Sequence, residues 1–181
     1  MSAVVLQLVP YFPPQTSGVG DYALRLAREL RRVLPDDVTL ILNDRPDLAV
    51  AAQANGVHVG QDDVPAEAAR RIIGTERILG VSTHNRQQLA VANENSADYL
   101  GIGPVFATLS KDNPDPTIGL EGVREARANT KRLLVAIGGI TLENCESVIE
   151  AGADSVAVIS ELLSDPRKIT EQFLLKMAKL R

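Results

Sequence analysis

Two carboxylates, Asp44 and Asp63, are the residues whose placement points most directly to chemistry. Each closes an apolar run that reads as a strand: VTLIL stops at Asn43, Asp44 and Arg45, and GVHVG stops at Gln61, Asp62 and Asp63. The intervening DLAVAAQAN spaces Leu48, Ala49 and Ala52 along one helical face and contains no Gly or Pro, so the stretch reads strand, helix, strand. Such a connection makes the strands parallel neighbours whose C-terminal ends share one face. Asp44 and Asp63 then project side by side and repel each other unless a hard cation lies between them. Mg²⁺ suits that place, because it takes one or two carboxylates plus phosphate oxygens. A metal site for a phosphorylated ligand is one reading; acids that cap the next helix or face water are the other.

Further ligand-competent residues also follow strand-like runs. Ser82, Thr83 and His84 follow RILGV; Thr108, Ser110 and Lys111 lie in the long segment PVFATLSKDNPDPTIGLEG; Gly138 and Gly139 end RLLVAIGG; Ser160 ends DSVAVIS. Hydroxyls and a lysine suit a phosphate, and glycine lets backbone come close to a ligand. The plainer alternatives are Ser82 or Thr83 as a cap of the helix RQQLAVANEN, His84 as a surface hydrogen bonder, Lys111 as an exposed loop lysine and the glycines as a tight turn. Gly18 and Gly20, read as the end of the loop PYFPPQTSGVG before a helix opening at Asp21, could likewise turn N–H groups toward an anion. No Ser/His/Asp or Cys/His arrangement stands out.

These residues need a scaffold that gathers strand ends. Seven strand-like runs begin near residues 3, 38, 56, 78, 98, 133 and 155, each followed by a helical stretch, with no linker or low-complexity segment between them. The consensus of one unit does not recur in the next, which excludes a solenoid. The 181 residues suit one domain, and 45% hydrophobic residues with 3% aromatic fit a parallel sheet wrapped by Ala-rich helices. Polar residues concentrated after strands fit a β/α barrel, with a doubly wound sheet as the alternative. A net charge of -4 and pI near 5.2 argue against a nucleic-acid surface. The single Cys145, the absence of a charged leader and the absence of a long apolar run predict a cytoplasmic protein.

The motifs NDR (Asn43 to Arg45), GVHVGQDD (Gly56 to Asp63), GVSTH (Gly80 to His84), DYLGIGPVFATLSK (Asp98 to Lys111), AIGGI (Ala136 to Ile140) and AGADSVAVIS (Ala151 to Ser160), in this order, resemble the thiamine phosphate synthase family from about Leu24 to Ser164. The resemblance implies an α/β fold of the (β/α) TIM-barrel type, here with seven predicted strands and without the family's first β/α unit. It implies condensation of hydroxymethylpyrimidine diphosphate with thiazole phosphate and release of pyrophosphate, by a transferase with Mg²⁺ as cofactor. It places Mg²⁺ on Asp44 and Asp63; the diphosphate on Asn43, Ser82 and Lys111, with Ser82 and Lys111 as the catalytic pair; and the thiazole phosphate on Thr108, Ser110, Gly139, Ile159 and Ser160. Gln7 falls where the family has a substrate-binding Gln, but Val9 and Tyr11 occupy the places of its Arg and Lys. Residues 4–32 instead resemble the opening of a GT-B glycosyltransferase, which divides the single domain into residues 1–23, 24–164 and a C-terminal helix over 165–181. A catalytically silent phosphate-binding barrel is the alternative function. An incomplete barrel leaves strand edges open, so a homo-oligomer is expected, and light scattering at micromolar concentration checks it: a strictly monomeric mass would contradict the expectation.

Overall fold

Leu40, Ile41 and Leu42 are consecutive, and none is more than 1% exposed, so the strand that holds them is covered on both faces. That is the environment of a parallel sheet whose crossover helices pack on it. The computed structural model describes residues 4–8, 17–108 and 115–180, with the backbone path alone for 4–8 and 17–22. The described chain falls into two units, one ending at Val81 and including Asn95–Asp98, the other formed by Ser82–Glu94 and the residues from Tyr99 onward.

The first unit contains β1 (Val4–Leu8), α1 (Ser17–Val33), β2 (Val38–Asn43), α2 (Pro46–Ala51), β3 (Gly56–Val59), α3 (Ala66–Ile73) and the start of β4 (Ile78–Thr83). Its strands pair in parallel: Val4 to Leu8 face Val38 to Leu42, Ile41 to Asn43 face Gly56 to His58, and Gly56 to Val59 face Ile78 to Val81. Val57, Val59 and Leu79 join the β2 triplet in the core, together with Ala49, Ala69 and Ile73 from the helices. Burying each large aliphatic side chain contributes about 1.5 to 3 kcal/mol.

The second unit contains α4 (Arg86–Glu94), β5 (Tyr99–Ile102), α5 (Gly119–Asn129), β6 (Leu133–Ala136), α6 (Cys145–Glu150), β7 (Ser155–Val156), a 3-10 turn (Ser160–Leu163) and α7 (Pro166–Lys179). Tyr99 to Ile102 face Leu133 to Ala136, and Val135 and Ala136 face Ser155 and Val156, again in parallel. Within each unit the strands succeed one another in sequence order, without the reversal that a doubly wound sheet requires. The described residues hold seven strands, the number read from the sequence.

One device recurs at the start of every second strand. Asn55, just before β3, donates its N–H to the Leu40 carbonyl at 2.9 Å and accepts the Leu40 N–H on its side-chain oxygen at 2.8 Å. Asp98, before β5, does the same to Leu79, donating at 2.7 Å and accepting at 2.7 Å. Asp154, before β7, does it to Leu134, at 2.8 and 2.7 Å. The two aspartates also hold an arginine of the preceding odd-numbered helix: Arg70 meets Asp98 at 2.6 Å, and Arg127 meets Asp154 at 2.8 Å. The guanidinium of Arg70 further donates to the carbonyls of Gly74, Arg77 and Ser96. ANGVHVG, ADYLGIG and ADSVAVI are therefore one motif repeated every second unit. A comparison of each unit with the next misses that period.

Three sequence expectations need correction. The first helix starts at Ser17, so Gly18 and Gly20 lie in its first turn and not in a loop; the N–H groups there have no helical partner anyway, and glycine is tolerated. Neither Ser82 nor Thr83 caps α4. Both belong to β4, the Thr83 hydroxyl donates to the Gly101 carbonyl at 2.8 Å, and Asn85 caps the helix by accepting from the Gln88 N–H at 2.9 Å. The final strand is two residues long, because its partner β6 stops at Ala136 and the chain turns away through Gly138 and Gly139, with φ of 85° and 66°.

The repeated device predicts that Asp98→Ala destabilises the fold by about 2 kcal/mol, since it leaves the Leu79 N–H and the Arg70 guanidinium without that acceptor. Asp98→Asn retains an oxygen where Asn55 already works and should lose roughly half as much. Urea denaturation of the two variants checks this, and equal losses would mean that the ion pair outweighs the backbone bond.

Candidate functional site

The tips of β2 and β3 bring Asn43, Asp44, His58 and Asp63 together. Asp44 donates its N–H to the His58 carbonyl at 2.8 Å, while Arg45 donates to the Asn43 carbonyl at 2.8 Å across it, a three-residue γ-turn. The turn holds Asp44 at φ 62°, a left-handed conformation that Asp tolerates better than most residues. It ends the strand abruptly and leaves the carboxyl at its tip. Asn43 donates from its amide to Asp44 Oδ1, and Asp63 Oδ2 accepts the Gly60 N–H at 2.7 Å, which ties the second acid to the end of β3. Arg45 is not part of this group: it grips Asp47 through two bonds, of 2.8 and 2.6 Å, and holds that carboxyl below its ordinary range.

Asp44 holds its proton more tightly than an ordinary carboxyl. Burial pushes the Asp44 carboxyl up to about 6, and the hydrogen bond and charge of Asp63 push it the same way, against the opposing bond from Asn43. The buried His58 beneath them is pushed down to about 4 by desolvation, with Asp63 pulling the other way. It stays neutral at neutral pH and adds no positive charge there. Among the described residues no group of three or more His, Cys, Asp and Glu could hold a metal ion. A half-buried pair of carboxyls fits a hard dication that completes its shell with water or substrate oxygens. His58 escaped the sequence reading because nothing in GVHVG separates it from an ordinary strand residue.

In the second unit, Gly138 and Gly139 form the turn after β6. A Cβ on Gly139 would lie 2.6 Å from the Ala107 carbonyl oxygen and 2.8 Å from Phe106 Cβ, so only glycine fits there at φ 66°. Val105 and Phe106 donate to the carbonyls of Ile137 and Gly138 at 2.9 and 3.1 Å, which places the segment leading to Thr108 against this turn. Asn144, which the sequence reading passed over, spans the same turn: its amide donates to the Gly139 carbonyl at 3.0 Å and its oxygen accepts the Thr141 N–H at 2.8 Å. Thr108 is half-buried, as is Ser82 in β4. Ile159 is 61% exposed, and the neighbouring Ser160 opens the 3-10 turn, whose Glu161 accepts the Leu142 N–H at 3.4 Å.

His84 is not a surface residue; its side chain is 12% exposed, and Nδ1 lies 2.6 Å from the Gly103 carbonyl oxygen. Ser110 and Lys111 lie outside the described residues, as do Val9 and Tyr11. Of Gln7 the structure describes the backbone, paired with Ile41.

Parallel strands linked by helices, in sequence order and with an acid pair at the strand tips of one unit and a glycine turn after a strand of the other, define an α/β protein of the β/α-repeat class. Comparisons with known proteins narrow this class. The family model described as thiamine monophosphate synthase matches residues 20–162. A thiamine-phosphate synthase of Koribacter versatilis is 61% identical over 148 residues, covering 82% of this chain and 70% of that protein. One of Methanosarcina mazei is 42% identical over 150 residues, 82% of this chain and 62% of that protein. The solved thiamine phosphate pyrophosphorylase of Pyrococcus furiosus superposes with a TM-score of 0.86 at 32% identity, over 99% of this chain and 85% of that one. The chain belongs to the thiamine monophosphate synthase family, and it is a transferase of that type. The resemblance of residues 4–32 to a GT-B glycosyltransferase gains no support: the family model already matches from residue 20, and the P. furiosus structure aligns with nearly the whole chain, β1 and α1 included.

The acid pair makes stability depend on pH in metal-free buffer. The folded state keeps the Asp44 proton to about pH 6, whereas the unfolded chain releases it near 3.8, so stability declines as pH rises through that window. Asp44→Asn abolishes the decline. At pH 7.5 with chelator the variant should be more stable than the parent by about 1 kcal/mol, after discounting for the solvent that reaches a half-buried group, and at pH 3.5 the two should coincide. Urea midpoints at both pH values check this.

Proposed function

We propose that this chain joins hydroxymethylpyrimidine diphosphate to thiazole phosphate, with Mg²⁺ held by Asp44 and Asp63. The observation that carries the reading is the acid pair at adjacent parallel strand tips, half-buried and repelling, which suits a dication shared with a diphosphate. When bound, the ion supplies charge neutralisation for the departing pyrophosphate. Asn43 orients Asp44 through their hydrogen bond and fixes one face of the diphosphate site. Ser82 and Lys111 assist the leaving group, and Gln7 adds a polar contact. The thiazole phosphate is taken by Thr108 and Ser110 together with Gly139, Ile159 and Ser160.

Pyrophosphate departure leaves a resonance-stabilised pyrimidinylmethyl cation, so the chain needs no strong base. It needs a neutralised leaving group and a nitrogen nucleophile held close by. Water-soluble phosphorylated substrates suit a cytoplasmic enzyme, and no helix among the described residues is long and apolar enough to cross a membrane. Self-association into a homo-oligomer belongs to the same reading.

Formation of thiamine phosphate from the two substrates, followed with and without Mg²⁺, tests the proposal. Turnover should require the ion, and Asp63→Asn should lower kcat/KM by roughly 10² to 10³, the effect of several kcal/mol of charge stabilisation. Binding of both substrates without product would instead favour a silent phosphate-binding barrel.

A further inference from the structure

We propose that His84 is a positioning residue that sets the thiazole-phosphate half of the site by fixing the segment Gly103–Thr108. The inference rests on the function proposed above and adds a residue to which nothing in that reading assigns a role. The imidazole sits where two described segments, Gly103–Thr108 and Asp115–Gly119, come together. Ile118 donates to the Pro104 carbonyl at 2.9 Å and Gly119 to the Val105 carbonyl at 3.0 Å. His84 Nδ1 lies 2.6 Å from the Gly103 carbonyl oxygen in the first segment, and Nε2 lies 3.6 Å from Asp115 Oδ2 in the second. A carbonyl can only accept, so Nδ1 carries the proton, and Nε2 is the nitrogen turned toward Asp115. One ring thus meets both segments.

The ring itself is held from behind. The His84 N–H donates to Gln88 Oε1 at 2.7 Å, in the first turn of α4, and Gly103 is pinned a second time by its N–H to the Thr83 carbonyl at 3.2 Å. From Gly103 the constraint passes along the chain to Val105 and Phe106, whose N–H groups bond the carbonyls of Ile137 and Gly138. It ends where the Ala107 oxygen leaves Gly139 no room for a Cβ. A displaced Gly103 therefore shifts both proposed phosphate contacts, Thr108 and Gly139, while the diphosphate residues Asn43, Asp44 and Asp63 are tied down by bonds of their own.

The test compares His84→Ala with His84→Asn. The Asn amide reproduces the Nδ1 donor but does not reach Asp115. His84→Ala should raise the KM for thiazole phosphate roughly five- to tenfold, the effect of one lost hydrogen bond, and leave the KM for the pyrimidine diphosphate within about twofold. His84→Asn should recover most of the loss. Titration with inorganic phosphate, followed by calorimetry, should show the same order of affinity: parent, then Asn, then Ala. Equal changes in both KM values, or an Asn variant no better than Ala, would overturn the assignment. Should the Ala variant fail to fold, His84→Phe, which fills the space but lacks the donor to the Gly103 carbonyl, decides: a rise confined to thiazole phosphate supports the role, and a uniform rise or none refutes it. If the parent forms no thiamine phosphate yet phosphate binding follows the predicted order, the positioning role stands and the proposed reaction falls.

Discussion

Reciprocal bonding at the base of the strands is the constraint on which the rest depends. A parallel pair has evenly spaced, slanted hydrogen bonds and no tight turn to fix its register, so nothing local stops one strand from slipping along its neighbour. In this chain the residue before β3, β5 and β7 removes that freedom by binding one residue of the preceding strand through both backbone and side chain. A slip would break both bonds and, at Asp98 and Asp154, separate a carboxylate from its arginine. Because strand length is short, a register fixed at the base also fixes the height of the tip. Asp44 and Asp63 can meet only if β2 and β3 end level, and the Asn55 bonds to Leu40 set that level from the opposite end.

The tips themselves are built on the contrary principle. At the base, the chain keeps extended conformations and satisfies its polar groups by pairing. At the tips it leaves the extended region at once: Asp44, Gly138 and Gly139 all have positive φ. Such conformations cost on the order of 1 to 3 kcal/mol each for a residue with a side chain and persist only when neighbours over-determine them. Here they are over-determined. Asp44 is held by its N–H to His58 and by the Asn43 amide; the glycine turn is held by Asn144 and by the backbone of Val105 and Phe106. Close approach of the Asp44 and Asp63 carboxyls is a further unfavourable element, and it favours the protonated form of Asp44.

This division of labour explains what could be read from the sequence. The core and the strand count were legible because continuous apolar runs such as VTLIL can be satisfied only by burial on both faces. The acid pair was legible because two acids closing consecutive strands must share an edge. What escaped depends on a partner far along the chain. Thr83 and Ser82 have the residue types of a helix cap, yet the Gly101 carbonyl claims the Thr83 hydroxyl and Asn85 does the capping. The partner of His84 is likewise invisible, because a lone His at a strand end carries no signal of the Gly103 carbonyl beside it. The repeat of Asn55, Asp98 and Asp154 was hidden by its period of two units and by the change from amide to carboxylate. Gly18 and Gly20 misled in the other direction, since glycine is a breaker inside a helix but not in its first turn.

The amide-to-carboxylate change in that repeat carries its own physical logic. Asn55 accepts the strand N–H with a neutral oxygen, and the arginine of α1 that reaches this corner, Arg28, donates to the Ala51 carbonyl at 3.2 Å and not to Asn55. Asp98 and Asp154 accept the same kind of N–H with a charged oxygen, and each has a guanidinium within 2.8 Å. A carboxylate that bridges a backbone N–H and an arginine is neutralised where it is partly desolvated; without the arginine it would carry an uncompensated charge into the strand base. Acceptor and cation therefore change together: where no guanidinium is engaged, an amide makes the same two bonds to the strand without the desolvation cost of a charge. Register needs only an oxygen and an N–H at the residue before the strand, and the charge on that oxygen is set by what else reaches it.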